Sequence, residues 1–254
     1  MDGTMNNKIQ KFLYSIKKKK RAGFFCLIDP DKQKPKKSAE LAKKCQRSEV
    51  DVILVGGSVM SNDFFHETVH IIKENVTIPV IVFPGIFNFV SPHADAILFL
   101  SMMSSRNPQL LIGEQVRTAP LIKKYDVEAI PTGYFLVESG SLTSVQYISN
   151  SLPIPRIKNE IAVSHALAAQ YLGMKLIFFD SGSGAKLSVP VGIIREVKKN
   201  ISIPLIVGGG IRTPEEAREK VAAGADFIVI GTAIENNNTN DSIKDFAHAI
   251  HSKD

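Results

Sequence analysis

Two glycine-rich segments near the carboxyl end of the chain have the composition of an anion-binding site. Residues 208–210 are all glycine, and Gly231 is followed by Thr232; a short apolar run precedes each segment. Glycine at a strand-to-helix bend lets backbone N–H groups face an anion, with the positive end of a helix dipole behind them. Thr213 and Pro214 are typical of such a helix start. Because a (β/α)8 barrel holds phosphate after its seventh and eighth strands, the two segments predict a site for a small phosphorylated molecule.

A carboxylate and a hydroxyl follow two apolar runs near the start of the chain. Asp29 comes directly after the first run, and Ser58 closes the second after two glycines. Oxygen donors on adjacent strand ends are a suitable partial shell for Mg²⁺, which keeps waters and takes other ligands from substrate phosphates. The alternative is that Asp29 only holds the Pro30 turn or caps the next helix. The motif alone leaves both interpretations open.

Asp180 follows a third apolar run, and Gly-Ser-Gly at 182–184 comes just behind it. A carboxylate there could accept hydrogen bonds from substrate hydroxyls or take a proton from one. The Gly-Ser backbone could approach a phosphate closely. The alternative is an ordinary turn that the aspartate caps.

The elements that position these residues follow from eight short apolar runs bounded by turn or cap residues. These candidate strands are 24–28, 52–55, 80–83, 96–100, 129–132, 176–179, 205–207 and 227–230. Helical spacing is found between most of them, at 38–45, 64–73, 157–172, 191–199, 214–223 and 243–250. Alternating strands and helices favour parallel strands, and continuously apolar strands favour a sheet buried on both faces. The sequence therefore predicts an α/β fold, a (β/α)8 TIM barrel whose polar strand ends meet at one rim.

Two connections depart from this regular pattern. Residues 83–96 contain Pro84 and Pro92 and are too few for a crossover helix, so the third helix is predicted to be missing or replaced by an extended segment. Such a gap would open one side of the barrel to a long apolar substrate, although its apolar residues could instead only cover the core. Those residues are Phe83, Ile86, Phe87, Phe89 and Val90. The second connection, 138–155, is rich in Ser, Thr, Gly and Pro, with 147–149 as a candidate strand fragment.

Length and composition limit the class of protein. The 254 residues, 44% hydrophobic, suit one barrel domain: 1–22 an N-terminal helix and basic segment, 23–235 the barrel core, 236–254 a C-terminal helix. The net charge of +6 lies largely in lysine runs that are typical of solvated surface, although contact with an anionic membrane surface stays open. Nucleic-acid binding is not expected, because no basic stripe is interleaved with aromatics. The sequence shows no apolar run long enough to span a membrane and no signal peptide, which favours a cytoplasmic protein. Its two cysteines are far apart in the sequence, so no zinc site is expected.

Taken together, the motifs resemble those of the geranylgeranylglyceryl phosphate synthase family, which includes the bacterial heptaprenylglyceryl phosphate synthases. The resemblance runs from about Gly23 to Glu235 and looks like the second of the family's two groups. It is carried, in order, by LIDPDK at 27–32, VGGS at 55–58, FPG at 83–85, SPHADA at 91–96, RNP at 106–108, IPTGY at 130–134, YISN at 147–150, PIPR at 153–156, GSGA at 182–185, GGGIR at 208–212 and GT at 231–232.

The resemblance implies a Mg²⁺-dependent prenyltransferase that forms a homo-oligomer, a dimer or a hexamer. It would join sn-glycerol 1-phosphate to geranylgeranyl diphosphate, making the ether bond of archaeal-type membrane lipids and releasing diphosphate. Asp29 and Ser58 match the family's magnesium positions, and Asp29 and Asp180 are the catalytic candidates. The residues implied for glycerol 1-phosphate are Phe178, Phe179, Asp180, Ser181, Gly182, Ser183, Gly184, Gly209, Gly210, Gly231 and Thr232.

One departure from the family pattern leaves alternatives open. The family usually has tyrosine where this chain has Phe178, so the phenol must be absent or supplied by another residue, for which Tyr134 is the candidate; substrate affinity could then be lower. One alternative function is a phosphosugar-type isomerase or lyase, but these use a lysine Schiff base or paired carboxylates, and Lys32 is the one lysine near a strand end. The other is a catalytically impaired ligand-binding homologue, for which Phe178 is the hint.

Overall fold

The computed structural model describes residues 7–57, 63–85, 89–237 and 239–252 and shows a closed parallel barrel. Each strand pairs with the next along the chain, and the eighth pairs with the first. The strands are β1 Gly23–Ile28, β2 Val52–Val55, β3 Val80–Val82, β4 Ala96–Met102, β5 Glu128–Leu136, β6 Leu176–Asp180, β7 Leu205–Gly208 and β8 Phe227–Ile230. The predicted (β/α)8 fold is therefore confirmed.

Helices cover the outside of the barrel. They are α1 Lys8–Lys19, α2 Pro35–Arg47, α3 Phe65–Asn75, α4 Glu114–Tyr125, α5 Ser144–Ser149, α6 Asn159–Tyr171, α7 Val191–Asn200, α8 Pro214–Ala222, α9 Thr232–Asn236 and α10 Asn240–His251, with a π-helical turn at Gln109–Gly113 before α4. No helix lies in the described residues between β3 and β4, as the two prolines predict. Ile86 and Phe87, expected to line this gap, lie outside the described residues. None of the described helices is both long and apolar enough to cross a membrane.

The strand fragment expected at 147–149 is wrong. These residues belong to α5, where Val145 is buried and Tyr147 is exposed. The run is short, and alternating apolar residues over so few positions do not distinguish a strand from one helical turn.

Alternation along the strands separates an inner layer from an outer layer of side chains, because successive residues point to opposite faces of a sheet. Phe25 and Phe227 stack inside the barrel with ring centroids 4.8 Å apart. Phe135 and Phe179 stack at 4.9 Å in the layer between sheet and helices. Phe178 faces the interior, so the next inward position on β6 is Asp180, at the carboxyl end of the strand.

Helix α1 packs against the amino-terminal end of the barrel, opposite the glycine-rich rim. Leu13 is fully buried with the inner layer. The Glu128 carboxylate accepts hydrogen bonds from the backbone N–H groups of Ile9 and Gln10, both at 2.7 Å. An acidic group at a helix start satisfies donors that lack partners within the helix and complements the helix dipole.

Candidate active site

A cavity of about 550 Å³ opens at the carboxyl ends of the strands. All eight strands, or the segments that follow them, contribute to its wall, so the polar strand ends do meet at one rim. The contributors from β1 to β8 include Asp29, Gly57, Phe83, Leu100, Tyr134, Asp180, Gly209 and Gly231.

The glycine bends after β6 and β7 lie in contact with each other. Gly182, Gly209 and Gly210 have φ of +92°, +79° and +70°, a region that favours glycine. A Cβ at Gly209 would overlap the Asp180 carboxylate and come within 2.6 Å of the Gly182 nitrogen. Glycine is therefore needed at position 209. Because no side chain separates the two bends, their backbone N–H groups can line the cavity and bind an anion.

The bend after β8 faces the same region. Ser183 Oγ lies 3.4 Å from Thr232 Oγ1, and both residues line the cavity. After the β7 bend, helix α8 begins as predicted, because Thr213 Oγ1 accepts a hydrogen bond from the Glu216 N–H. Three glycine-containing bends thus converge on one side of the cavity.

Arg212 joins two of these bends, a role that the sequence motif alone did not reveal. Its guanidinium donates to the Ala185 carbonyl at 2.6 Å and the Lys186 carbonyl at 3.0 Å. Its backbone N–H donates to Glu216 at 2.6 Å. Arg212 therefore fixes the β6 segment against the β7 bend and places a positive charge in the cavity wall.

Asp180 is buried and bonded through both carboxylate oxygens. Oδ2 accepts a hydrogen bond from the Tyr134 hydroxyl at 2.7 Å, and Oδ1 accepts one from the Gly182 N–H at 2.9 Å. Burial raises the pKa of Asp180, and the hydrogen bonds from Tyr134 and Gly182 partly oppose this shift. Burial, with the nearby Asp180 charge, raises the pKa of Tyr134 well above its usual range, so the phenol stays a hydrogen-bond donor.

The other substrate-binding residues predicted on and after β6 differ in whether their side chains face the cavity. Phe178 lines the cavity, and its ring meets that of Tyr134 edge to face at 5.5 Å. The Tyr134 hydroxyl therefore lies beside the position where relatives are expected to carry a phenol. Phe179 faces the outer layer, so only its backbone could contact a substrate there, and Ser181 is fully buried.

Asp29 lies at the end of β1, beside the bend that follows β8, and lines the same cavity. Asp29 Oδ1 accepts a hydrogen bond from the Asp31 N–H at 3.0 Å. A Cβ at Gly57 would come within 2.9 Å of that oxygen, so glycine keeps the space beside the carboxylate clear. Burial raises the pKa of Asp29, opposed by the Asp31 N–H and by the Lys32 charge. Ser58, the second predicted magnesium ligand, lies outside the described residues.

This donor set suits Mg²⁺ held jointly with a substrate. Within the described ranges, no three His, Cys, Asp or Glu side chains cluster as a metal site. Mg²⁺ commonly uses one or two carboxylates and completes its shell with water and substrate phosphates. Asp29 therefore fits such an ion without a full protein cage.

A charged pair at this rim escaped the sequence reasoning because its members lie 203 residues apart. The Lys32 ammonium donates to Glu235 Oε2 at 2.6 Å and lies 4.0 Å from Asp29 Oδ2. Glu235 Oε1 accepts a hydrogen bond from the Asp29 N–H at 3.1 Å. Glu235, on α9, thereby connects the bend after β8 to the end of β1.

The cavity wall near β3 and β4 is largely apolar. It is lined there by Phe83, Leu100, Met102 and Leu110, with Val145 from α5, and its polar members are Glu114 and Gln115. Such a wall suits a hydrocarbon chain.

Fold and site define a (β/α)8 barrel with glycine-rich bends, a buried carboxylate and an apolar wall around one cavity. The model of the PcrB family matches residues 14–250, and the chain belongs to that family. It is 46% identical to the geranylgeranylglyceryl phosphate synthase of Chitinophaga pinensis, over 97% of each chain.

Two solved structures of the same kind of enzyme share the fold. The (S)-3-O-geranylgeranylglyceryl phosphate synthase from Thermoplasma acidophilum, in complex with its substrate sn-glycerol-1-phosphate, is 36% identical, with a TM-score of 0.89 over 94% of this chain and 98% of that one. The wild-type GGGPS from Thermoplasma volcanium is 39% identical, with a TM-score of 0.90 over 96% and 97%.

Proposed function

We propose that this protein is a geranylgeranylglyceryl phosphate synthase, which transfers a geranylgeranyl group from its diphosphate to sn-glycerol 1-phosphate. The main support is the layout of one cavity: the glycine bends and Asp180 at the ends of β6 to β8, Asp29 at the neighbouring end of β1, and a largely apolar wall near β3 and β4. The similarity to the synthase that binds sn-glycerol-1-phosphate supports the choice of acceptor.

The glycerol phosphate binds at the converging bends. Backbone N–H groups from Ser183, Gly184, Gly209, Gly210, Gly231 and Thr232 hold its phosphate, while the Gly182 N–H is bonded to Asp180 beside it. Holding the acceptor at its phosphate places a glycerol hydroxyl near Asp180 and makes the reaction effectively intramolecular.

The transfer then needs one proton acceptor and one leaving-group site. The hydroxyl oxygen at glycerol carbon 3 forms the ether bond with the allylic carbon, while the bond from that carbon to diphosphate breaks. The hydroxyl proton goes to the Asp180 carboxylate, which the Tyr134 hydroxyl holds in place.

Magnesium is the second part of the proposal. Asp29 and Ser58 would hold it, and when bound it would neutralise the charge that develops on the departing diphosphate. The Asp29 carboxylate, fixed by the Asp31 N–H, faces the cavity from which that diphosphate leaves.

The assembly state and membrane contact are part of the same proposal. Exposed apolar side chains on and just before α4 support a homo-oligomer, a dimer or a hexamer; they are Ile112, Val116 and Leu121. A transient contact with an anionic membrane surface would deliver the apolar donor to the basic protein in the cytoplasm. The lyase alternative loses support, because the Lys32 side chain, the candidate for a Schiff base, is held by the Glu235 carboxylate.

The test is product analysis by mass spectrometry. The protein is incubated with Mg²⁺, geranylgeranyl diphosphate and sn-glycerol 1-phosphate, with sn-glycerol 3-phosphate and a chelator as controls. We expect an ether product and released diphosphate with the first acceptor, and loss of product with the chelator. No ether product under any condition would overturn the proposal.

A further inference from the structure

Lys32 is the cation at the Asp29 side of the cavity. Among the described residues that line the cavity, Lys32 and Arg212 carry the positive charges. Arg212 is bonded to the carbonyls of Ala185 and Lys186 on the glycerol-phosphate side. The Lys32 ammonium, 4.0 Å from Asp29 Oδ2, is therefore the positive side chain nearest the proposed magnesium position.

We propose that Lys32 binds the diphosphate of the prenyl donor and that Glu235 is the positioning residue that holds its ammonium at the rim. The inference rests on the proposed function. An ammonium has three N–H donors, of which Glu235 accepts one, and the others can reach phosphate oxygens. Lysine is suited to phosphate as a compact point charge that does not need a fixed bidentate geometry.

Carboxylates surround this end of the cavity. Asp29 and Glu235 lie beside Lys32, and the Asp31 charge also acts on Asp29, so without Lys32 a single Mg²⁺ leaves no net positive charge there. Lys32 adds a positive charge where the anionic diphosphate would bind. A partly enclosed site strengthens this attraction relative to open water.

Glu235 is well placed to orient Lys32. Its side chain is only 9% exposed, against 41% for that of Lys32. One carboxylate oxygen is fixed by the Asp29 N–H and the other receives the ammonium. The buried carboxylate is thus the fixed partner, and the longer lysine side chain is the one that can shift toward a phosphate oxygen.

Calorimetric titration with magnesium diphosphate, and separately with sn-glycerol 1-phosphate, tests the inference. We expect Lys32→Ala to weaken magnesium diphosphate binding about 10- to 100-fold, the loss of a hydrogen bond to a charged group, and to leave glycerol 1-phosphate binding within about threefold. Lys32→Arg should restore most of the diphosphate affinity, and Glu235→Gln should lower it by a smaller factor. Lys36→Ala, which removes an exposed lysine on α2, is the matched control and should leave the affinity for both ligands unchanged. Thermal melting checks that each variant folds.

Three results would overturn the inference. The first is an unchanged affinity of Lys32→Ala for magnesium diphosphate. The second is an equal loss of affinity for both ligands in that variant. The third is a Lys32→Arg variant that binds magnesium diphosphate no more tightly than Lys32→Ala does. The product assay with wild-type protein distinguishes a failure of the Lys32 inference from a failure of the proposed function. If wild-type protein makes the ether and Lys32→Ala binds diphosphate normally, only the role of Lys32 is wrong; if wild-type protein makes no ether, the proposed function fails first.

Discussion

Replacing Tyr134 with phenylalanine tests the role of the buried pair around Asp180. The change removes one hydroxyl whose bond to Asp180 Oδ2 is 2.7 Å long and leaves the ring in place against Phe178. A hydrogen bond to a charged group contributes about 1.5–3 kcal/mol, so we expect kcat/KM for glycerol 1-phosphate to fall about 10- to 150-fold.

The pH profile gives an independent reading of the same change. The Tyr134 hydrogen bond lowers the pKa of Asp180, against the larger effect of burial. Without that bond the pKa rises further. Because the carboxylate form accepts the proton, activity disappears as the pH falls through this pKa, and the acid limb of kcat/KM should move to higher pH in Tyr134→Phe.

The assay is steady-state ether formation at saturating Mg²⁺ across the pH range, with thermal melting of each variant. Tyr14→Phe is the matched control, because the Tyr14 hydroxyl donates to a backbone carbonyl, that of Lys175, on the α1 side of the molecule. An unchanged kcat/KM and an unmoved acid limb in Tyr134→Phe would show that the phenol does not support the base. An equal effect in Tyr14→Phe would reduce the result to general destabilisation.

Three further substitutions probe the rest of the site. Asp180→Asn should lower kcat by about 10²–10⁴-fold, the usual contribution of a general base, and a smaller loss would contradict that role. Because the folded pKa of Asp180 is raised, its stabilising contribution is present at low pH and lost as the pH rises through that pKa, so the melting temperature of Asp180→Asn relative to wild type should be higher at pH 7 than at pH 4. Asp29→Asn should raise the Mg²⁺ concentration needed for half-maximal rate, and a wild-type magnesium dependence would remove Asp29 from the metal site. Phe178→Tyr restores the phenol expected in relatives and should lower the KM for glycerol 1-phosphate several-fold, a gain of about 1 kcal/mol for one neutral hydrogen bond; an unchanged KM would mean that Tyr134 already replaces it.

Most strands were predictable because they are short apolar runs that end in glycine or a polar residue. The ends of β4 and β5 were placed too early, because these strands continue past Ser101 and Gly133 to Met102 and Leu136. Asp29 and Asp180 follow such runs, and the barrel topology alone brings them to one rim. The missing helix after β3 was equally readable, since Pro84 and Pro92 leave no room for one. Local composition was therefore sufficient wherever a strand end directly carries the functional group.

Contacts that depend on strand register or on closure of the barrel could not be predicted from local composition. Tyr134 is paired with Phe178, so its hydroxyl reaches Asp180 diagonally, and that relation requires the pairing of β5 with β6. Lys32 and Glu235 meet because the segment after β8 closes on the end of β1. Short segments were also ambiguous, as the helix at Ser144–Ser149 shows.

A crystal structure with sn-glycerol 1-phosphate, Mg²⁺ and a non-reactive thio analogue of geranylgeranyl diphosphate would show where each ligand binds. We expect the glycerol phosphate at Gly209, Gly210 and Gly231 with its hydroxyl beside Asp180, the diphosphate and metal at Asp29, and the prenyl chain along the apolar wall at Phe83. Empty glycine bends, or a prenyl chain directed away from the gap between β3 and β4, would contradict this expectation.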